Sequence, residues 1–233
     1  MMATPADLED FAIGFSLTEG IVGALSDIEE LQVVPGRNGV ELRMWVAPAA
    51  MAAVDARRRH MAGPTGCGLC GLETLEQAMR DAPAVPQGRR FTAHDIQAAV
   101  AAVAPAQVLN RQTRAVHAAG FVQPGSPALV REDVGRHNAL DKLAGALARA
   151  GTDASSGLLV MTSRVSVELV QKAARIGVGV LVAVSAPTAL ALRVADAAGI
   201  TVAAIAREDG FEVFTHPGRI TLDGTETAAT NAA

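Results

Sequence analysis

Apolar residues near the start of the chain recur at the spacing of one helical face. The residues on that face are Leu8, Phe11, Ala12 and Phe15. Thr4 suits a helix cap and Pro5 suits the first helical position. The pattern therefore predicts an amphipathic helix that begins at these residues and ends near Gly20 or Gly23.

A period of two replaces the helical period over residues 40–46, where apolar and polar side chains alternate. The segment follows a turn at 35–39 that contains glycine and asparagine, so it predicts a β-hairpin with one buried face. A helical stretch is predicted next, over 48–60. The segment 63–71 is rich in glycine and also contains proline, which opposes regular structure and indicates a loop.

The pattern changes again after Ala118, where apolar runs of strand length alternate with segments of helix length. The predicted elements are two short strands around 123–127, helix 137–150, strand 157–161, helix 165–176, strand 178–184, helix 188–198 and strand 201–206. Nearly continuous apolar strands indicate a sheet that helices cover on both faces.

The predicted fold class is α/β, with a three-layer αβα domain and a smaller N-terminal α+β domain. The N-terminal region spans 1–90 and ends in a linker near 82–90 that contains proline and glycine. The α/β domain spans 91–222 and begins with a helix that Thr92 caps. A frayed tail is expected over 223–233.

Composition and charge exclude several classes of protein. Half of the 233 residues are apolar and the formal net charge is −4, without a basic block, so a long phosphate-binding surface for nucleic acid is not expected. No apolar run approaches the roughly 20 residues that span a bilayer, and acidic residues after Met1 argue against a signal peptide. We expect a cytoplasmic protein that binds neither nucleic acid nor membrane.

Cys67 and Cys70 are the only two cysteines, and they lie three positions apart in the glycine-rich loop. In a reducing compartment this spacing favours chemistry or metal binding over a structural disulfide. Backbone amides of such a loop can stabilise a thiolate or a persulfide. Three interpretations stay open: sulfur or redox chemistry, half of a zinc site completed by His60 or another histidine, and a structural turn.

A second candidate site is the polar block 131–142, where a predicted strand ends and a helix begins. Open α/β sheets bind ligands at such strand ends. Arg136 and His137, near a helix N-terminus, would suit a phosphate. The alternative interpretation is a charged loop in which Asp133 or Asn138 caps the helix.

Polar residues also follow other predicted strands. Ser163 and Arg164 form another candidate anion site after strand 157–161, whereas turn and capping chemistry explains the segment 185–188. A lone histidine such as His117 is more typical of a structural role. The segment 207–210 is typical of a tight turn between two strands.

Several segments together resemble the FdhD-type formate dehydrogenase accessory sulfurtransferase family. The matching segments are Thr4–Pro5 with Asp7–Phe11, Leu17–Gly20, Gly66–Gly71, Arg131–Lys142, Val170–Ala173 and Ser185–Thr188. The cysteine motif alone is weak, but together with the block at 132–142 it is specific. The resemblance covers nearly the whole chain, and it implies a cytidine-deaminase-like C-terminal domain and a homodimer.

The resemblance implies a sulfur carrier that serves formate dehydrogenase. Such a protein would accept sulfane sulfur from a cysteine desulfurase and transfer it to bis-molybdopterin guanine dinucleotide, the molybdenum cofactor. Cys67 would hold the persulfide and Cys70 would assist. The residues that match family positions around the cofactor are Arg136, His137 and Arg164, with the stretch Ile205, Ala206, Arg207, Glu208, Asp209 and Gly210.

Two other functions stay open from the sequence. A non-catalytic chaperone would deliver the molybdenum cofactor and use the cysteine pair for metal or redox chemistry. A zinc-stabilised nucleotide-binding module would lose its zinc with either cysteine. A deaminase reaction is not supported, because zinc deaminases need H-x-E and P-C-x-x-C motifs, and here Ala118 and Ala119 follow His117.

Overall fold

The computed structural model describes residues 1–51, 82–207 and 209–221. The cysteine loop, most of the predicted helix 48–60 and the predicted tail 223–233 lie outside the described residues. The helices are α1 (Leu8–Thr18), α2 (Ala93–Ala106), α3 (Val108–Thr113), α4 (Arg136–Arg149), α5 (Val167–Arg175) and α6 (Ala189–Ala198). The strands are β1 (Ile28–Gly36), β2 (Gly39–Val46), β3 (Phe91–Thr92), β4 (His117–Val122), β5 (Leu129–Asp133), β6 (Leu158–Met161), β7 (Val180–Ala183), β8 (Thr201–Arg207), β9 (Gly210–Thr215) and β10 (Ile220–Thr221).

A six-stranded mixed sheet forms the centre of the molecule, with the order β5-β4-β6-β7-β8-β9. Strand β4 is antiparallel to both β5 and β6, whereas β6, β7 and β8 run parallel and β9 returns antiparallel. The elements predicted after Ala118 are all present close to their predicted bounds. Every residue of β6 and β7 is buried, so these strands are continuous apolar runs that are easy to recognise in the sequence.

Helices cover both faces of the sheet, as the apolar strands predicted. In β6, Leu159 and Met161 join a core cluster with α4, α5 and α6, while Leu158 and Val160 join the opposite cluster with α2. The alternation follows from the period of two in a strand. None of the helices in the described part of the chain has both the length and the apolar character that crossing a bilayer requires.

Helix α1 begins later than the sequence predicted, and Thr4 does not cap it. The N-cap is Asp7, which adopts a left-handed conformation with φ of 52° and makes no capping hydrogen bond with its side chain. The Thr4 N–H instead donates to Asp133 Oδ2 at 2.9 Å, and its hydroxyl oxygen accepts from the Val134 N–H at 3.0 Å. Tertiary contacts with the end of β5 therefore replace the capping role of Thr4.

Two glycines allow α1 and α4 to pack with their backbones in close contact. A Cβ added at Gly14 would lie 1.7 Å from the Asp141 carbonyl oxygen, and one at Gly145 would lie 1.9 Å from the Asp10 carbonyl oxygen. No side chain fits at either position. Helix α1 is consequently buried around most of its circumference, including Ile13 and Ser16, and not on one face alone.

A buried polar network also joins α1 to α4 and α5. Lys172 Nζ lies 2.8 Å from Asp141 Oδ1 and 2.7 Å from Glu19 Oε1, and it donates to Thr18 Oγ1 at 3.0 Å. Burial opposes the charge of Lys172, but Asp141 and Glu19 outweigh burial and raise its pKa. The network therefore holds a lysine cation between three helices.

The hairpin predicted from residues 40–46 is present as a separate two-stranded sheet of β1 and β2. Gly36 pairs with Gly39 across a two-residue turn. The face of β2 that was expected to be buried, with Leu42, Met44 and Val46, is only half-buried. Trp45, on the other face, is 45% exposed. The hairpin prediction was correct, but its burial was overestimated.

The predicted linker at 82–90 has no regular structure, yet it is tied to the α/β domain. Arg219 Nε donates to the Gln87 carbonyl oxygen at 2.7 Å, and Arg219 Nη2 donates to that of Pro86 at 3.1 Å. Immediately after the linker, β3 pairs in parallel with β10. Thr92 caps α2 in a reciprocal capping box with Asp95, as predicted.

We predict that Gly145→Ala lowers the free energy of unfolding by about 1–3 kcal/mol, because the added methyl group forces α1 and α4 apart. The midpoint of urea denaturation measures the loss. Gly39→Ala is the matched control, since a Cβ there meets nothing within 4 Å. Equal losses in the two variants would show that the close helix crossing is not the cause.

Candidate functional site

The ends of four neighbouring strands meet at one edge of the central sheet. Strands β5, β6, β7 and β8 run in the same direction, so their carboxyl ends lie together with the amino end of β4. Helices α4, α5 and α6 each begin at this edge. Ligands of open α/β sheets bind at such an edge. We use the name polar edge for six of the polar residues at this edge: His117, Arg136, His137, Arg164, Ser166 and Glu168.

Most of the polar block 131–142 has a structural role. Asp133 and Lys142 form an ion pair of 2.6 Å, and both side chains are fully buried. Lys142 Nζ also donates to the Thr4 and Glu132 carbonyl oxygens, at 2.9 Å and 3.2 Å. The pair therefore fixes the N-terminal segment, β5 and α4 relative to one another.

The remaining Asp133 oxygen orders the turn that leads into α4. It accepts from the Gly135 N–H and from Asn138 Nδ2, both at 2.9 Å. The N-cap of α4 is Gly135, without a capping side chain, so neither Asp133 nor Asn138 caps the helix as the alternative interpretation supposed. Asn138 also donates to the Met2 carbonyl oxygen at 2.9 Å, which adds a second link to the N-terminal segment.

Two other charged residues of the block are likewise engaged. Both Glu132 carboxylate oxygens accept backbone N–H groups at the start of α3, from Leu109 at 2.7 Å and Asn110 at 2.8 Å. Arg131 Nε donates to Asp10 Oδ2 at 2.8 Å. The block thus joins three helices to β5, and Arg136 and His137 are the members that lie at the polar edge.

Arg136 and His137 begin α4, and their side chains are partly exposed. The Nε of Arg136 is buried and has no hydrogen-bond partner among the described residues. A buried donor without an acceptor is costly, so this nitrogen is a candidate for pairing when a ligand arrives. His137 Nε2 lies 3.3 Å from Ser166 Oγ and 3.8 Å from Glu168 Oε2.

His117 lies beside these two residues at the amino end of β4. Burial lowers the pKa of His117, and the positive charges of Arg136 and His137 lower it further. His117 therefore belongs to a cluster of basic groups at the polar edge. The pairing of β4 with β5, which places His117 opposite Asp133, brings it there.

Sequence reasoning missed Ser166 and Glu168. Ser166 is the N-cap residue of α5, and Glu168 lies in its first turn. Both are common choices at a helix start, so their sequence pattern does not distinguish them from ordinary capping residues. Burial opposes ionisation of Glu168, but His137, Ser166 and its own backbone outweigh burial and lower its pKa to about 2.

The predicted cofactor stretch 205–210 forms the end of β8 and the start of β9, as its turn pattern indicated. Ile205 has a φ of 53°, which is rare for a β-branched residue, and its N–H donates to the Ser185 carbonyl oxygen at 3.4 Å. Arg207 is exposed, but its guanidinium donates to the Val184 and Ala206 carbonyl oxygens. Asp209 is exposed, and Glu208 lies outside the described residues.

The structure thus brings some predicted site residues together and leaves others apart. Arg136 and His137 share one cluster, and Arg164 follows β6 at the same edge with an exposed side chain. Cys67 and Cys70 lie outside the described residues, so their position relative to this edge stays a prediction. In the ranges 1–51, 82–207 and 209–221, no group of three or more histidines, cysteines or acids could hold a metal ion.

Residues 1–221 match the sequence model of the FdhD/NarQ family. The chain belongs to the FdhD/NarQ family. Its family relatives include the sulfur carrier protein FdhD of Agrobacterium fabrum, with 55% identity over 224 residues that cover 95% of this chain and 83% of the relative. The protein of the same name from Cupriavidus necator is 52% identical and covers 94% and 77% of the two chains.

A solved structure shares the fold of this FdhD/NarQ chain. It is a crystal structure described as that of a formate dehydrogenase accessory protein from Desulfotalea psychrophila. The TM-score is 0.72 at 25% identity, and the match covers 94% of this chain and 82% of the other. The family resemblance and the mixed α/β fold are therefore confirmed.

We expect Lys142→Met to destabilise this FdhD/NarQ protein by about 3–5 kcal/mol, because it leaves the Asp133 carboxylate buried without its cation. Urea denaturation measures the difference. Arg43→Met is the control, since it removes an ion pair of 2.8 Å in which both side chains are more than half exposed. The control should cost at most about 1 kcal/mol. Similar losses would contradict a structural role for the buried pair.

The free energy of unfolding, measured by urea denaturation at a series of acidic pH values, should show the contribution of the Glu168 carboxylate. Its pKa is lowered from 4.5 to about 2, so its carboxylate stabilises the fold above pH 4.5 and loses that contribution as the pH falls to 2. Across this window the wild type should lose more stability than Glu168→Gln, by an amount on the order of 2 kcal/mol. Parallel curves for the two proteins would refute the shift.

Proposed function

We propose that this chain is a sulfur carrier and sulfurtransferase that serves formate dehydrogenase, with the sulfur held as a persulfide on Cys67. The observation that carries the proposal is the family match over residues 1–221, with relatives named as sulfur carrier proteins. The crystal structure of a formate dehydrogenase accessory protein supports the same assignment. The two cysteines are the residues of the chain whose chemistry suits sulfur transfer.

Loading of the carrier is a thiol exchange with a cysteine desulfurase. The Cys67 thiolate attacks the terminal sulfur of the persulfide on the desulfurase. A new sulfur–sulfur bond forms on Cys67, the bond on the desulfurase breaks, and the desulfurase cysteine leaves as a thiolate. The carried sulfur remains at the oxidation level of a persulfide throughout this step.

Delivery uses the second cysteine. The Cys70 thiolate attacks the inner sulfur of the Cys67 persulfide, a Cys67–Cys70 disulfide forms, and the terminal sulfur leaves as hydrosulfide for molybdenum. The two electrons that convert sulfane sulfur to sulfide come from the cysteine pair. Reduction of the disulfide by a cellular thiol restores the carrier.

The sulfur-accepting substrate in this proposal is bis-molybdopterin guanine dinucleotide. Its phosphates need hydrogen-bond donors, and the polar edge offers His117, His137 and Arg136, whose buried Nε has no partner among the described residues. Arg164 follows β6 at the same edge. The stretch of Ile205, Ala206, Arg207, Glu208, Asp209 and Gly210 completes the proposed contacts.

The same proposal includes the finer features that the family resemblance implies. A sheet in which β4 is antiparallel to both of its neighbours, and β6, β7 and β8 are parallel, supports a cytidine-deaminase-like arrangement of the C-terminal domain. We further propose that the protein is a cytoplasmic homodimer. Its partners are a cysteine desulfurase, which loads it, and a formate dehydrogenase, which receives the sulfurated cofactor.

Mass spectrometry after incubation with a cysteine desulfurase and L-cysteine tests the carrier step. Wild type and Cys70→Ala should each gain one sulfur mass, whereas Cys67→Ala should gain none, because it lacks the accepting thiolate. Only wild type should then release sulfide and support formate dehydrogenase activity. Folded wild-type and Cys70→Ala proteins that both fail to gain sulfur would overturn the proposal and favour a chaperone that delivers the cofactor without carrying sulfur.

A further inference from the structure

One carboxylate oxygen of Glu168 is buried at the polar edge without a donor at hydrogen-bond distance among the described residues. Its side chain is 16% exposed, and its Oε2 has no hydrogen-bond partner among the described residues. The low pKa of this group, about 2, means that the carboxylate is charged at neutral pH. A buried carboxylate oxygen without a donor at hydrogen-bond distance is costly, so the charge of Glu168 needs a neighbouring group that stabilises it.

His137 is the neighbour that can do so. Its Nε2 lies 3.8 Å from Glu168 Oε2, and the same atom lies 3.3 Å from Ser166 Oγ. The His137 side chain is 19% exposed. His117 lies within electrostatic range of His137 and of Arg136. Since Nε2 is turned towards α5, Nδ1 is the ring nitrogen left for any other partner.

We propose that Glu168 is a positioning residue. Together with Ser166 it holds the ring of His137 in an orientation that lets Nδ1 form a hydrogen bond with the guanine nucleotide end of the cofactor. The inference rests on the proposed function. The contacts with α5 engage Nε2, so they determine the orientation of the ring and which ring nitrogen is left to meet the ligand. Side chains that bind ligands need this kind of support from their neighbours to hold a productive geometry.

A simpler role for Glu168 would be to stabilise the positive N-terminal end of α5, where it lies in the first turn. The two roles differ in one measurable respect. A positioning residue acts only through His137, so its effect on ligand binding disappears when His137 is absent. A residue that stabilises the helix acts independently of His137, and the two effects then add.

A double-mutant cycle on binding of guanosine monophosphate, measured by calorimetry, separates these roles. The four proteins are wild type, Glu168→Gln, His137→Gln and the double variant. We expect each single substitution to weaken binding about tenfold, which is about 1.4 kcal/mol. The double variant should bind no more weakly than His137→Gln alone. A double variant weakened about a hundredfold, or a Glu168→Gln protein that binds like wild type, would overturn the inference.

Two further variants keep this test specific. Ser166→Ala removes the second contact of Nε2 and should weaken binding in wild type but not in the His137→Gln background. Glu41→Gln makes the same chemical change on an exposed strand, where the side chain is 65% exposed, and should bind like wild type. A loss of binding in Glu41→Gln would show that net charge, and not the contact with His137, controls affinity.

A spectroscopic measurement tests the contact without any nucleotide. In protein labelled with ¹⁵N-histidine, the ring signals of His137 are those that vanish in His137→Gln. Glu168→Gln should shift these signals and leave those of His216 unchanged. Unmoved His137 signals would refute the contact even if the carrier step succeeds. Failure of sulfur loading would refute the proposed function and leave this result intact.

Discussion

The fully buried ion pair between Lys142 and Asp133 joins β5 and α4 to the first residues of the chain, which lie more than a hundred positions earlier in sequence. Lys142 also binds the Thr4 carbonyl oxygen, and Asp133 accepts the Thr4 N–H, so the first residues of the chain complete the coordination of both charges. Two charges removed from water are tolerable only when their remaining hydrogen bonds are made. The N-terminal segment, β5 and α4 therefore have to come together in a single arrangement.

This constraint also positions the candidate site. The other Asp133 oxygen holds the turn at Gly135 and the side chain of Asn138, and Arg136 and His137 lie between those contacts. The close crossing of α1 and α4 through Gly14 and Gly145 supports α4 from the opposite side. The two basic residues consequently project from a rigid scaffold, which is what a site for a large anionic cofactor needs.

The polar edge and the neighbouring end of β8 contain buried atoms without hydrogen bonds in the described part of the chain, and a strained backbone conformation. Arg136 Nε and Glu168 Oε2 are buried without hydrogen bonds among the described residues, and Ile205 holds a backbone conformation that β-branched side chains rarely adopt. Strain and unpaired polar atoms persist where the surrounding structure imposes them, and they concentrate at functional sites. Their convergence at the carboxyl ends of β5 to β8 agrees with the proposed binding of the cofactor.

The sequence by itself determined the α/β class, the order of elements after Ala118 and the family, because buried strands and a long shared motif are local signals. It could not determine which side chains of the 131–142 block form structural contacts and which lie at the polar edge. That depended on Thr4 and Asp10, more than a hundred residues away, which pair with Asp133 and Arg131. Only the tertiary structure brought Glu168 next to His137, since nothing in a helix cap specifies the residue that packs above it.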